Sequence, residues 1–257
     1  MASVSGMTSP DHLSEPDPHL NPRVAAAYDQ AHGSEFTEAV IRPAVDVLAE
    51  LAGGGVAVEF AVGTGRIALP LSAAGVEVRG IDFSEPMVAE LRDKDGAAGI
   101  EITVGDMTTT HVCSDASLVY LVFNTITNLR TQEQQVECFR NAAAHLAPGG
   151  RFVIENGVPI LRDLPRGETF HPFDVTPEHL GFEEYVDYVN QISISHHYFI
   201  DGDRVRVSDG TFRYVWPSEL DLMAKIAGME FESRWANWQR EAFTGDSRSH
   251  VSVWQKR

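Results

Sequence analysis

The chain is poor in cysteine, poor in basic residues and without any long apolar run. Two cysteines, Cys113 and Cys138, stand among 257 residues. Their spacing fits no metal-ligand pattern, so ordinary thiols and no bound metal are expected. Lysine and arginine number 20 against 37 aspartates and glutamates, for a formal net charge of -17. A nucleic-acid binder needs a cationic face to neutralise phosphates. No Lys/Arg cluster supplies one, so neither nucleic acid nor an anionic membrane is an expected partner. No apolar stretch reaches the roughly 18 residues of a transmembrane helix. The N-terminus lacks the basic start and apolar stretch of a signal peptide. A cytoplasmic protein is the expectation.

What is present is enough apolar material for a sizeable core, 43% of residues. Residues 1–22 are rich in Ser, Pro, Asp and His and read as a flexible tail. From Arg23 to Ala52 the apolar spacing is helical, ended by Gly53-Gly54-Gly55. Then strands and helices alternate. VAVEFAV, VEVRGID (76–82), IEITVGD (100–106), ASLVYLVFN (116–124) and RFVIEN (151–156) read as five strands. Helices fall between them over 65–74, from Ser84-Glu85-Pro86 to about Lys94, and from Thr131 to Leu146. Near-continuous apolar strands alternating with helices imply a mostly parallel sheet covered on both faces. Residues 158–215 break the pattern: prolines punctuate a loop, then β-prone runs follow. Asp201-Gly202 and Asp209-Gly210 are turn signals within them. We read an antiparallel insertion of about three strands there. A helix over Pro217–Gly228 and two closing strands, MEFESRWANW and HVSVWQK, finish the chain.

The stretch Gly63-Thr64-Gly65-Arg66-Ile67-Ala68 turns from a strand into a helix. Such a turn presents backbone N–H groups at a helix start, and glycine lets a ligand approach closely. It satisfies the dinucleotide fingerprint, and Asp82 stands 17 residues beyond Gly65, where a carboxylate can accept from ribose hydroxyls. These two features alone do not separate NAD from another adenosine cofactor.

Further residues do. Glu59-Phe60-Ala61-Val62-Gly63-Thr64-Gly65-Arg66, Ile81-Asp82-Phe83-Ser84-Glu85-Pro86-Met87, Gly105-Asp106-Met107, Val122-Phe123-Asn124 and the phrase Pro148-Gly149-Gly150 follow in order. With them the chain resembles the class I S-adenosylmethionine-dependent methyltransferases of small-molecule type. The resemblance implies a Rossmann-like α/β fold: a seven-stranded, mostly parallel sheet with helices on both faces, here carrying the antiparallel insertion after its fifth strand. The methyltransferase domain would span 23–257, with 158–215 as a substrate cap. It also implies that Asp82 holds the ribose, that Phe83 and Met87 flank the adenine, and that Asp106 and the Met107 amide meet the adenine edge. Phe123 and Asn124 would face cofactor and substrate, and Tyr28 the carboxylate end of the cofactor. The family often has glycine where Ala61 stands. S-adenosyl-L-methionine carries no phosphate, which suits a loop without lysine; its product would be S-adenosyl-L-homocysteine.

The function expected is methyl transfer in one in-line displacement to a small-molecule N or O nucleophile. The catalytic residues are unknown; a base is required only if the nucleophile arrives protonated. His171, His196, His197 and His250 are the candidates for that base. His196 and His197 are neighbours in a strand and point to opposite faces, so only one can face a pocket. Asn128, Trp235, Trp238 and Phe243 are candidate pocket residues. The exposed edges of the insertion make a homodimer a candidate arrangement. The rival readings are an NAD-dependent oxidoreductase, a non-catalytic cofactor-binding protein, and an RNA or protein methyltransferase. Gly105-Asp106 and the closing strand pair speak against the first. Acidity speaks against RNA, and Phe123-Asn124-Thr125-Ile126 replaces the Asn-Pro-Pro-Tyr-like phrase of enzymes that methylate planar nitrogens.

Overall fold

The computed structural model describes residues 18–257, so residues 1–17 of the expected tail lie outside the described residues. The last residues of that segment are docked. Pro18–Leu20 form a 3-10 turn whose His19 carbonyl accepts from the Ser84 hydroxyl at 2.6 Å.

The helix read over 23–52 is two helices, α1 (Pro22–Ala31) and α2 (Glu38–Ala52), separated by a 3-10 turn at Gly33–Phe36. The break lets α1 leave the line of α2 and lie near the glycine loop. The alternating units follow as β1 (Ala57–Phe60), α3 (Ala68–Ala73), β2 (Val78–Asp82), α4 (Glu85–Arg92), β3 (Glu101–Val104) and β4 (Ala116–Leu121). After them come α5 (Gln132–His145) and β5 (Leu146–Gly157). Ser84 caps α4 by accepting from the Met87 amide, and Thr131 opens α5 with a reciprocal capping box to Gln134.

The insertion holds four strands rather than three: β6 (Phe170–Val175), β7 (His179–Asp187), β8 (Ile192–Asp201) and β9 (Arg204–Arg213), all antiparallel. The Asp201-Gly202 signal is a tight hairpin, with Gly202 at φ +59°. Asp209-Gly210 is no turn; both residues lie inside β9. Gly210 stands there because a β-carbon would fall 2.8 Å from the Phe212 ring, which covers its backbone. The chain closes with α6 (Pro217–Ile226), β10 (Met229–Trp235) and β11 (Ser249–Lys256).

The main sheet has the order β10-β11-β5-β4-β1-β2-β3. Strands β5, β4, β1, β2 and β3 are mutually parallel, and β11 runs antiparallel to both its neighbours. β1 and β4 are buried almost throughout, as strands covered on both faces must be. On one face Leu48, Leu71, Tyr120 and Val153 form a core under α2 and α3. On the other, Phe139, Phe152, Leu220 and Trp254 pack under α5 and α6. The order reverses between β1 and β4, and ligands of open α/β sheets sit at such a switch, beyond the carboxyl ends of the strands. The four-stranded sheet is inserted at that edge, directly after β5. Among the described residues no helix is long and apolar enough to cross a membrane.

Trp254 is fully buried, stacks edge-on against Phe139 and donates its indole N–H to Asp221. Trp254→Ala is expected to cost about 3–5 kcal/mol, read from the urea midpoint of unfolding.

Candidate functional site

The site grows from three chain reversals at the carboxyl edge of the sheet. After β1 the backbone enters the left-handed region at Ala61 (φ 54°), Gly63 (φ 54°) and Gly65 (φ 84°). For Ala61 that conformation costs about 1 kcal/mol relative to glycine, the physical reason a glycine suits this place. At Gly65 a β-carbon would fall 2.3 Å from Leu91 of α4.

Asp82 ends β2 and ties this loop to the next. One carboxylate oxygen accepts from the Gly63 amide at 2.7 Å, the other from the Ser84 amide at 2.8 Å. Each oxygen of the carboxylate is thus engaged by a backbone N–H at the edge of the cavity. Asp82 lines a cavity of about 490 Å³ together with Ala61, Phe83, Gly105, Asp106 and Met107. Phe83 is 44% exposed, an aromatic left at the rim. Asp106 accepts from the amide and hydroxyl of Thr108, and Gly105 clears the Thr110 side chain. Leu20, Asn128 and Arg130 complete the same cavity, so Asn128 stands beside Asp106 rather than in a separate pocket. Met87 is buried beneath Gly63, its methyl 3.6 Å from where a β-carbon would stand, and is not part of the cavity wall.

The first helix seals the other side of the loop. The Thr64 hydroxyl donates to Asp29 at 2.6 Å, and Lys94 spans Asp29 and the Thr64 carbonyl. Tyr28 sits 4.5 Å from the His32 ring, and His32 5.8 Å from Phe123. Arg66 lies over the Phe123 ring and donates to the Glu35 carbonyl. Burial raises the Tyr28 hydroxyl above its usual range, with Arg66 opposing. Asp29, His32 and Lys94 were not singled out by sequence; each is an ordinary helix residue until α1 docks. The loop's nearby cations, Lys94 and Arg66, are thus spent on protein partners. The residues present fit a cofactor with an adenosine end and no phosphates.

Glu59, at the end of β1, is 2% exposed and accepts from the Tyr120 hydroxyl at 2.9 Å. Burial pushes its carboxyl up to about 8, against the opposing pull of that hydrogen bond and of Arg66. Phe123 and Asn124 follow β4 with positive φ; the Asn124 side chain accepts from the Gly157 amide at 2.6 Å. Glu155 accepts from the Phe123 amide and from the Trp238 indole N–H. Trp235 and Trp238 pack on the core, and Phe243 meets His250 edge-on.

The four histidines part company. His250 is fully buried in β11, bonded to Ser252, and burial drives its imidazole down to about 3, so it is neutral. His196 has both ring nitrogens occupied, by Asp209 and Glu184. His171 stands in β6 opposite Glu183. His197 is half-buried on the other face of β8 from His196 and bonds to His179.

Comparison with known proteins decides the family. The chain is 32% identical to the CcbJ methyltransferase of Streptomyces caelestis, with 94% of this chain and 99% of that one covered and a TM-score of 0.82. The chain belongs to the class I S-adenosylmethionine-dependent methyltransferases. A methyltransferase domain family matches residues 57–150 of this methyltransferase. The cypemycin N-terminal methyltransferase of a Streptomyces species is 24% identical over 208 residues, 79% of this chain and 84% of its own. S-adenosylmethionine-bound CalS10 of Micromonospora echinaspora, an amino pentose methyltransferase of calicheamicin biosynthesis, shares the fold at a TM-score of 0.72. It is 19% identical, with 90% and 97% of the two chains covered. The cofactor is S-adenosylmethionine.

Two outcomes follow from this geometry. Glu59 has a folded value near 8 against an ordinary 4.5. Its contribution to stability is complete below about 4.5 and is lost as pH rises to about 8, at up to about 1.4 kcal/mol per pH unit. Glu59→Gln keeps the neutral shape, so its stability relative to wild type should rise from pH 5 to pH 9 in urea unfolding. Asp82→Asn removes acceptor capacity and should weaken S-adenosylmethionine binding by about 1–3 kcal/mol, measured calorimetrically.

Proposed function

We propose that this methyltransferase acts on an amine nitrogen of a small molecule held between the carboxyl edge of the main sheet and the four-stranded insertion. The observation that carries the reading is the placement of the insertion: it rises from the end of β5, where the Gly157 amide donates to Asn124, and its β9 packs against the Thr125–Asn128 turn, which lines the cavity. Tyr185 of β7 accepts from the Ile160 amide just beyond β5, which anchors the cap there. The relative named for methylating an N-terminus supports nitrogen over oxygen as acceptor.

When bound, S-adenosylmethionine supplies a sulfonium methyl group to the acceptor's lone pair and leaves as S-adenosylhomocysteine. The chain's part is to orient. In this reading Asp82 fixes the ribose, Phe83, Asp106 and Met107 the adenine, and Tyr28 with the Ala61–Gly65 backbone the amino-acid end. Glu59 supports the loop from below. Asn124, Phe123 and the Trp235–Phe243 segment border the acceptor. Alignment of two reactants is worth about 7–11 kcal/mol of a barrier. The two cysteines are free thiols, which suits a cytoplasmic location. The outer strand β9 exposes Val205 and Val207 along an open edge, which favours a homodimer through that edge; a particle of single-chain mass in light scattering would rule the dimer out.

The test is a melting-temperature comparison with S-adenosylmethionine, S-adenosylhomocysteine and NAD, followed by mass analysis of amino sugars and amino-acid amides after incubation. Stabilisation by the first two and a gain of one methyl on nitrogen are expected. Methylation confined to hydroxyls would overturn the acceptor assignment.

A further inference from the structure

We propose that Asp174, His179 and His197 form a proton relay in the cap, with His197 Nε2 as the base that takes the proton of the incoming amine. The inference rests on the amine-acceptor reading above.

The three residues come from three adjacent strands and share one face. Asp174 pairs with Gly181, His179 with Phe199 and His197 with Gly181, in unbroken register between β7 and β8. Asp174 Oδ2 lies 2.7 Å from His179 Nδ1, and His179 Nε2 lies 3.0 Å from His197 Nδ1. The ring planes of the two histidines are nearly parallel, 13° apart, with centroids 5.2 Å from each other. A carboxylate only accepts, so His179 Nδ1 carries the proton. His179 Nε2 is then a lone pair, and it accepts the Nδ1–H of His197. His197 Nε2 is left as the free lone pair, and no hydrogen bond engages it among the described residues. The set is not arranged to hold a metal ion.

The packing keeps that ring in place. Phe199 stacks on His179 from the far side and Phe173 closes edge-on against His197. Phe173 fits because position 181 is glycine; a β-carbon there would fall 2.3 Å from its ring. The same face turns toward the cofactor edge: Tyr185, further along it, bonds the Ile160 amide, and His32, beside Tyr28 and Phe123, lies within electrostatic range of His197. Burial first, then His179 and His32, holds the His197 imidazole below the ordinary histidine range, with Asp209 acting the other way. The remaining polar neighbours are His196 on the opposite face, His171 and Glu183 on the same face, and Arg206 over the Phe199 ring. His197 is therefore neutral at pH 7 and able to accept.

The proton balance is closed. An amine that enters as ammonium gives one N–H proton to His197 Nε2, and the N–H bonding pair stays on nitrogen as the attacking lone pair. The resulting imidazolium is held by its Nδ1–H bond to His179 and, through it, by the Asp174 carboxylate. The proton returns to solvent after product leaves. His197 touches the substrate and is the catalytic residue; His179 and Asp174 are positioning residues.

The decisive measurement is a pH titration of protein labelled with 15N-histidine, with S-adenosylhomocysteine bound, using His197→Gln to assign the signal. The expected result at pH 7 is a neutral His197 protonated at Nδ1. Asp174→Asn should shift protons of both histidines toward Nε2, which loss of packing alone would not do. With an amine acceptor from the panel, His197→Gln should lower kcat about 10²–10⁴-fold, leave KM for S-adenosylmethionine unchanged and abolish the acid limb of the pH profile. A His197 protonated at Nε2, or a variant turning over within threefold of wild type from pH 6 to 9, overturns the relay. Wild type that methylates only hydroxyls of the panel would instead overturn the amine-acceptor reading, so the two failures are distinct.

Discussion

The clasp between Asp82 and the amides of Gly63 and Ser84 holds the site together. It joins the loop after β1 to the start of α4, two reversals that neighbouring parallel strands bring side by side. A carboxylate bonded to two backbone N–H groups fixes both loops at once. The loop is left-handed at Ala61, Gly63 and Gly65, and Ala61 joins Asp82 in the cavity wall. Without the clasp the glycine loop would be a flexible turn; with it, the loop is a preformed wall.

Charge explains why the loop suits a phosphate-free ligand. An acidic chain has few cations to spare, and here the nearby ones are committed. Lys94 locks α1 to the loop through Asp29 and Thr64, and Arg66 rests on Phe123 and the Glu35 carbonyl. Glu59 shows the same economy. Buried beside Tyr120, its carboxyl is pushed up to about 8 and is mostly neutral at pH 7, so the floor of the site does not add another anion.

The insertion follows β5 at the carboxyl edge of the main sheet. Gln135, Arg213, Gln191 and Glu219 form a buried polar cluster that pins β9 to α5 and α6. Strands β6, β7 and β8 of the insertion carry its histidines.

The cofactor class, the parallel sheet and the hairpin at Asp201-Gly202 were legible in the sequence because each depends on short-range rules. Burial of a strand on both faces demands an apolar run, a left-handed turn favours glycine, and the acid that clasps the loop closes the next strand. Gly210 misled because glycine serves a close ring contact as well as a turn, and only packing tells the two apart. Alternation in β8 put His196 and His197 on opposite faces, yet nothing in the sequence said which face would turn inward. Tertiary structure decided that, together with the docking of Asp29 against Thr64 and the alignment of Asp174, His179 and His197. These contacts join residues from separate elements, and their geometry exists only once long-range strand pairing and helix docking have fixed the backbone.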